Sequence, residues 1–186
     1  MMRQRLLEAT IDCLVESGYA GTSTTLVSER AGVSRGAQLH HFPTKQALVT
    51  AAVAHLTQMR GEELVHAATG LPGGKRRTRA VLDMLADHFT SPVFTAALEL
   101  WVAARTDPDL LAFAGPLEQR LGRETHRLTV ELLGVDESRA GNRELVQATL
   151  DLVRGLGLAN TLSDDAARRG RILGRWADVL DKELTR

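Results

Sequence analysis

The sequence predicts an all-α fold of about nine helices, and three observations carry that expectation. Apolar residues recur at three- and four-residue spacing through most of the 186 residues, the period of a helix with one buried face. Gly, Pro and Ser/Thr/Asp stand between those segments, where helices are capped and broken. No segment alternates apolar and polar residues as a half-buried strand does, and there is no internal repeat or low-complexity run.

The first helix is predicted over residues 3–17, with Leu7, Ile11 and Leu14 at i, i+4 and i+7 and Leu6, Thr10 and Cys13 widening the stripe. Gly18 ends it. Cys13, the single cysteine, has no basic neighbour to lower its pKa and is expected in the core. Arg3 and Arg5 are expected in solvent, or as a short basic arm reaching phosphate or the minor groove. Ser23 caps a second helix that turns Leu26 and Val27 inward and ends at Arg30-Ala31. Gly32 supplies the left-handed residue there, because it has no Cβ to clash. Ser34 caps a third helix through about His41. Phe42-Pro43 closes it, since Pro lacks the N–H and restricts the residue before it. Thr44 caps the fourth.

Two helices joined by a three-to-four-residue turn containing Gly form the helix-turn-helix pattern, whose second helix reads the major groove of DNA. Val27, Ser28, Ala31 and Val33 are the apolar or small residues that hold the pair together. Ser34, Arg35, Gly36, Leu39 and His40 are left on the outer face of the second helix. Arg35 suits guanine O6/N7 or a phosphate, Leu39 suits a thymine methyl, and His40 can donate to phosphate or base. Lys45 falls in the first turn of the fourth helix, where a cation opposes the helix dipole by about 0.3–1 kcal/mol. A phosphate at that end reverses the sign, so a phosphate contact is expected of it.

Residues 3–50 resemble the DNA-binding domain of the TetR (tetracycline-repressor) family of one-component transcriptional regulators. The resemblance rests on Gly18-Tyr19, Thr22-Ser23, Ala31-Gly32-Val33-Ser34, Gly36, His40-His41-Phe42-Pro43 and Thr44-Lys45-Gln46-Ala47-Leu48. It implies an all-helical homodimer that represses transcription and releases DNA on binding a small molecule. The sequence departs from the family at Gln38-Leu39, where members usually carry an apolar residue and a tyrosine. Gln38 therefore occupies a position expected to point inward, although glutamine is also a good adenine reader. Leu39 lacks the hydroxyl that would contact phosphate.

The fourth helix is expected to run from Thr44 to about Ala68, with Leu48, Ala52, His55, Leu56 and Met59 along one side. Glu63-x-x-His66 within it matches half of a di-iron motif, but the second half is missing and no metal is expected. Leu71-Pro72-Gly73-Gly74 is the clearest break. Lys75-Arg76-Arg77-Thr78-Arg79 then reads as a solvated loop and helix start. A helix over about 76–89 places Val81, Met84 and His88 on one side. Ser91-Pro92 starts the next, with Phe94, Leu98, Trp101 and Arg105 in register. A helix from Asp107-Pro108 is expected to kink or break at Gly115-Pro116 before resuming to about Leu133. Residues 134–142 read as a loop, followed by helices over about 143–161 and 164–184.

Composition narrows the function. Apolar residues make up 44% of the chain, enough for a core, and nothing approaches the roughly 18 consecutive apolar residues of a membrane span. Met1-Met2-Arg3 leads directly into an amphipathic helix, without a signal-peptide core, and with one cysteine a cytoplasmic setting is expected. The 23 basic and 23 acidic residues cancel. Yet Arg35, His40, His41 and Lys45 fall between Gly32 and Leu48 with no acid among them. There is no Gly-rich phosphate loop and no Cys-x-x-Cys, and His40-His41, being adjacent, diverge by about 100° on a helix. No enzyme activity and no cofactor are expected.

The sequence thus divides into a helix-turn-helix DNA-binding domain over 1–48 and a helical ligand-binding and dimerisation domain over 49–186. The expected DNA-binding residues are Ser23, Thr25, Ser34, Arg35, Gly36, Ala37, Gln38, Leu39, His40, His41 and Lys45. Phe89, Phe94, Trp101 and Phe113 are four of the chain's seven aromatics, a concentration that suits either core packing or an apolar small-molecule site. The expected lining is Met84, His88, Phe94, Leu98, Trp101, Phe113 and His126, with Glu99 and Arg105 as further polar candidates. For the dimer, the family's four-helix interface points to the last two helices. Gly170, Leu173, Gly174 and Ala177 share one face of the final helix, and Gly155 and Gly157 could serve in the preceding one. The expected partners are a double-stranded DNA operator, an unidentified small-molecule effector and a second copy of the chain, with no membrane. The alternative is a helical scaffold, or a regulator controlled by a protein instead of a small molecule.

Overall fold

Each short helix of the N-terminal region begins on a side chain that caps it. Leu26 N–H donates to Ser23 Oγ (3.1 Å), Ala37 N–H to Ser34 Oγ (3.3 Å) and Ala47 N–H to Thr44 Oγ1 (3.1 Å). The computed structural model describes residues 1–184, and for 67, 68 and 75 it describes no side chain. Among the described residues the chain forms nine helices and no strand: α1 (Met2–Gly21), α2 (Thr24–Ala31), α3 (Arg35–His41), α4 (Lys45–Ala68), α5 (Lys75–Phe89), α6 (Pro92–Ala104), α7 (Pro108–Leu133), α8 (Asn142–Asn160) and α9 (Ala166–Glu183). The all-α expectation stands.

Two compact units result. The first comprises Met1–Arg60 and Pro92–Leu121, the second Gly61–Ser91 and Gly122–Arg186. In the first, Leu6, Leu7, Ile11 and Leu14 of α1 are buried together with Val27 and Ala31 of α2, Leu48, Val49, Ala52 and Val53 of α4, and Ala96, Ala97 and Leu100 of α6. The small residues of α6 let it lie close along the leucine stripe of α1. Cys13 is buried in this core, and desolvation is the main cause that pushes its thiol pKa up, which keeps it protonated and inert.

In the second unit α5 packs against α8 and α9. Val81, Leu82, Leu85 and Phe89 are buried there, as are Val146, Leu150 and Val153 of α8 and Leu173, Ala177 and Leu180 of α9. The basic run opening α5 is not simply solvated, as its sequence suggests. Arg77 Nε donates to Leu132 O (2.8 Å), and Arg79 Nε lies 2.9 Å from both carboxylate oxygens of Asp83. The side chain of Lys75 lies outside the described residues. A break expected near Gly115-Pro116 is absent: α7 runs from Pro108 to Leu133 with Pro116 inside it, where the ring leaves the Ala112 carbonyl without its i+4 donor.

Candidate nucleic-acid interface

The turn between α2 and α3 is built around Gly32, at φ 61° and ψ 43°. Its N–H returns to Glu29 O (3.0 Å) and that of Val33 to Ser28 O (2.9 Å), which closes the C-terminus of α2. Arg5 of α1 completes the turn. Its Nη2 donates to the carbonyls of Ala31 and Gly32, which α2 leaves without intrahelical partners. A Cβ on residue 32 would lie 2.7 Å from that nitrogen, so glycine both suits the left-handed turn and leaves the Arg5 guanidinium where it is. Arg5 is thus a clamp on the turn and not a free arm. Arg3 sits over the Phe42 ring at 5.5 Å. Arg30 of α2 pairs with Glu16 of α1 at 2.5 Å, and that bond is the main cause holding the Glu16 carboxyl below its ordinary value.

On this frame α3 presents Ser34, Arg35, Gly36, Leu39, His40 and His41 to solvent, with Ala37 partly covered and Ser23 and Thr25 exposed beside α2. Leu39 is 44% exposed, an apolar side chain on an otherwise polar face. Two expected contact residues behave differently. Gln38 is fully buried and its Nε2 donates to Phe42 O (2.6 Å), which ties the end of α3 to its own interior and keeps the amide away from any base. Lys45 does not project as a free cation. Its Nζ donates to Tyr19 O (2.5 Å) and lies 4.1 Å from the centre of the Tyr19 ring, and burial pushes its pKa down. The dipole penalty at this helix start is offset by a carbonyl and an aromatic face, so a phosphate is not needed to explain the residue.

Comparison with known proteins decides what this frame is. The family described as bacterial regulatory proteins, tetR family, matches residues 6–52. The transcriptional regulator CymR of Pseudomonas putida is 34% identical over 181 residues, 94% of this chain and 87% of its own length. The chain belongs to the tetR family of bacterial regulators. Its helix-turn-helix is therefore a DNA-binding module of a transcription regulator. A solved structure of a transcriptional regulator from Pseudomonas aeruginosa PAO1 is 26% identical with a TM-score of 0.73, covering 97% of this chain and 90% of that one. A regulator from Saccharomonospora viridis, solved in complex with choline, shares the fold at 16% identity and a TM-score of 0.71, covering 99% and 97%.

In this tetR-family chain the expected effector-lining residues fall in both compact units. Phe94, Leu98, Trp101 and Phe113 belong to the first; Met84, His88 and His126 belong to the second. Phe94 is buried and meets Trp101 edge-on, with ring centres 6.2 Å apart. Trp101 Nε1 is buried with no hydrogen-bond acceptor. Phe113 lies on an outward face of α7 and is 50% exposed, so it lines no enclosed site within its unit. Met84 and His88 are partly buried on α5. His126 is engaged by Glu137, Nε2 to Oε1 at 2.6 Å. Glu99 reaches Tyr19 N–H at 3.3 Å, whereas Arg105 is exposed.

The glycine-bearing face of α9 is used inside the chain. Leu173 is 2% exposed and Ala177 6%; Arg79 Nη1 donates to Gly170 O (3.1 Å), and a Cβ at Gly174 would lie 3.0 Å from the same nitrogen. Leu173 and Ala177 are thus buried within the chain, and Gly170 and Gly174 lie beside the Arg79 guanidinium of α5. The neighbouring face is open. Ala148, Asp151 and Leu152 of α8 and Ile172, Arg175 and Trp176 of α9 line a mostly apolar groove of about 660 Å³. Gly155 continues the α8 side of it, with nothing within 4 Å of its Cβ position.

Proposed function

We propose that this tetR-family regulator is a repressor that binds a palindromic operator as a homodimer and is released by a small apolar or amphipathic effector. The observation that carries the reading is the exposed face of α3, where Arg35, Leu39, His40 and His41 stand on a helix capped by Ser34 and preceded by a turn that Arg5 clamps. An α3 of seven residues reads few bases, so useful specificity requires two copies on two half-sites. The apolar groove between α8 and α9 supports the second copy as its occupant. Leu152, Ile172 and Trp176 form an apolar centre, flanked by Asp151 and Arg175, charges of opposite sign that suit a two-fold, self-complementary contact. The Trp176 Nε1 bond to Thr149 Oγ1 (2.9 Å) holds the indole at the groove, which supports that role.

For the effector, Trp101 is the strongest anchor within the first unit. Its buried N–H has no acceptor, and a ligand oxygen would satisfy it beside the Phe94 ring. The dimer reading is tested by Leu152→Glu, at a position only partly covered in the single chain. The expected result is a monomer by sedimentation that still melts cooperatively and has lost affinity for a two-fold duplex. A variant that stays dimeric and binds normally contradicts the assignment.

A further inference from the structure

Tyr19 is a junction between three helices. Gly18 breaks α1 at φ 64° and ψ 179°, so the N–H of Tyr19 leaves the helical ladder and its carbonyl has no turn following it to use. Both orphaned groups are met by charges from elsewhere in the same unit. Glu99 Oε2 on α6 accepts from Tyr19 N–H at 3.3 Å, and Lys45 Nζ, on the first residue of α4, donates to Tyr19 O at 2.5 Å. The approach of Glu99 is close enough that a Cβ on residue 18 would fall 2.8 Å from its carboxylate oxygen.

We infer that Glu99 is a positioning residue for DNA binding: from α6 it fixes the Tyr19 backbone, and Tyr19 in turn fixes Lys45 and the start of α4, directly after the recognition helix. Glu99 touches no DNA; its effect is transmitted through two hydrogen bonds. The inference rests on the DNA-binding role of α3.

The test uses the full chain and the duplex that the wild-type protein enriches from a random pool. Glu99→Ala should accelerate exchange of the Tyr19 amide by about tenfold or more, read by heteronuclear NMR. It should weaken duplex binding by about 5- to 10-fold. The salt dependence should not change, because no phosphate contact is lost. Glu99→Asp keeps the charge but withdraws it by a methylene, and should behave like alanine. Glu99→Gln keeps an acceptor oxygen and should recover most of the binding. Unaltered Tyr19 exchange or wild-type affinity in the Ala and Asp variants overturns the inference. So does a loss of affinity that only follows a fall in Tm and is not recovered by Gln. A wild-type chain that enriches no duplex sinks the DNA-reading proposal and this inference with it, whereas intact wild-type binding with unaffected Glu99 variants sinks this inference alone.

Discussion

Arg35 is the exposed long cation on the first residue of α3, where it projects from the end of the helix that docks first against base edges. Arg35→Ala is expected to weaken operator binding by about 1–3 kcal/mol and relax the preference at one base position. Lys45 predicts the opposite pattern. With its ammonium on Tyr19 O, Lys45→Met should lower thermal stability yet leave the slope of log affinity against log salt unchanged; a slope reduced by about one would restore the phosphate role. Because burial holds its folded pKa below the unfolded value of about 10.4, the folded chain releases the Lys45 proton first, and stability rises slightly as pH climbs toward that range. These residues also mark what the sequence discloses. Ser23, Ser34 and Thr44 were legible because a cap acts three residues away, within one local pattern. The partners of Arg5 and Lys45 stand 26 residues off, and the Glu99–Tyr19 bond spans 80, so no local signal announces them.

At the scale of the element, periodicity locates a buried stripe but not which neighbour it faces. In α9 the apolar and small residues from Ile172 to Leu180 cover too wide an arc for spacing to divide. The structure splits them, with Leu173, Ala177 and Leu180 turned into the unit and Ile172 and Trp176 on the open groove. Gly170 and Gly174, which the sequence offers as room for a second copy, lie beside the Arg79 guanidinium of the same chain. Close backbone contact does occur in α8, at Gly157, which the sequence offers to the dimer and which meets α5 of the same chain instead. At Gly157 a Cβ would sit 2.2 Å from Phe89 O and 2.9 Å from its carbonyl carbon, atoms of a helix backbone that cannot rotate away. Gly157→Ala should therefore push α8 from α5 and destabilise the fold by about 1–3 kcal/mol, measured by urea melting. An unchanged midpoint would mean the two helices do not approach so closely.

At the scale of the whole molecule, the nine helices among the described residues and their approximate ends were legible because capping and punctuation are local. The compact units were not. Residues 92–121 pack with the N-terminal region, a consequence of α6 lying on α1 that no stretch of sequence reveals. The division at residue 48 remains a proposed division of roles. Net charge is equally silent: the 23 basic and 23 acidic residues cancel, so the proposed operator binding rests on the local face of α3 and on its duplication in the proposed dimer. Selection of bound duplexes from a random pool tests that account most directly. The expected result is an enriched inverted repeat, its half-sites one helical turn or a multiple of it apart, bound by two copies of the chain. Enrichment of a single unrepeated site bound by one copy, or no enrichment even at low salt, would contradict it.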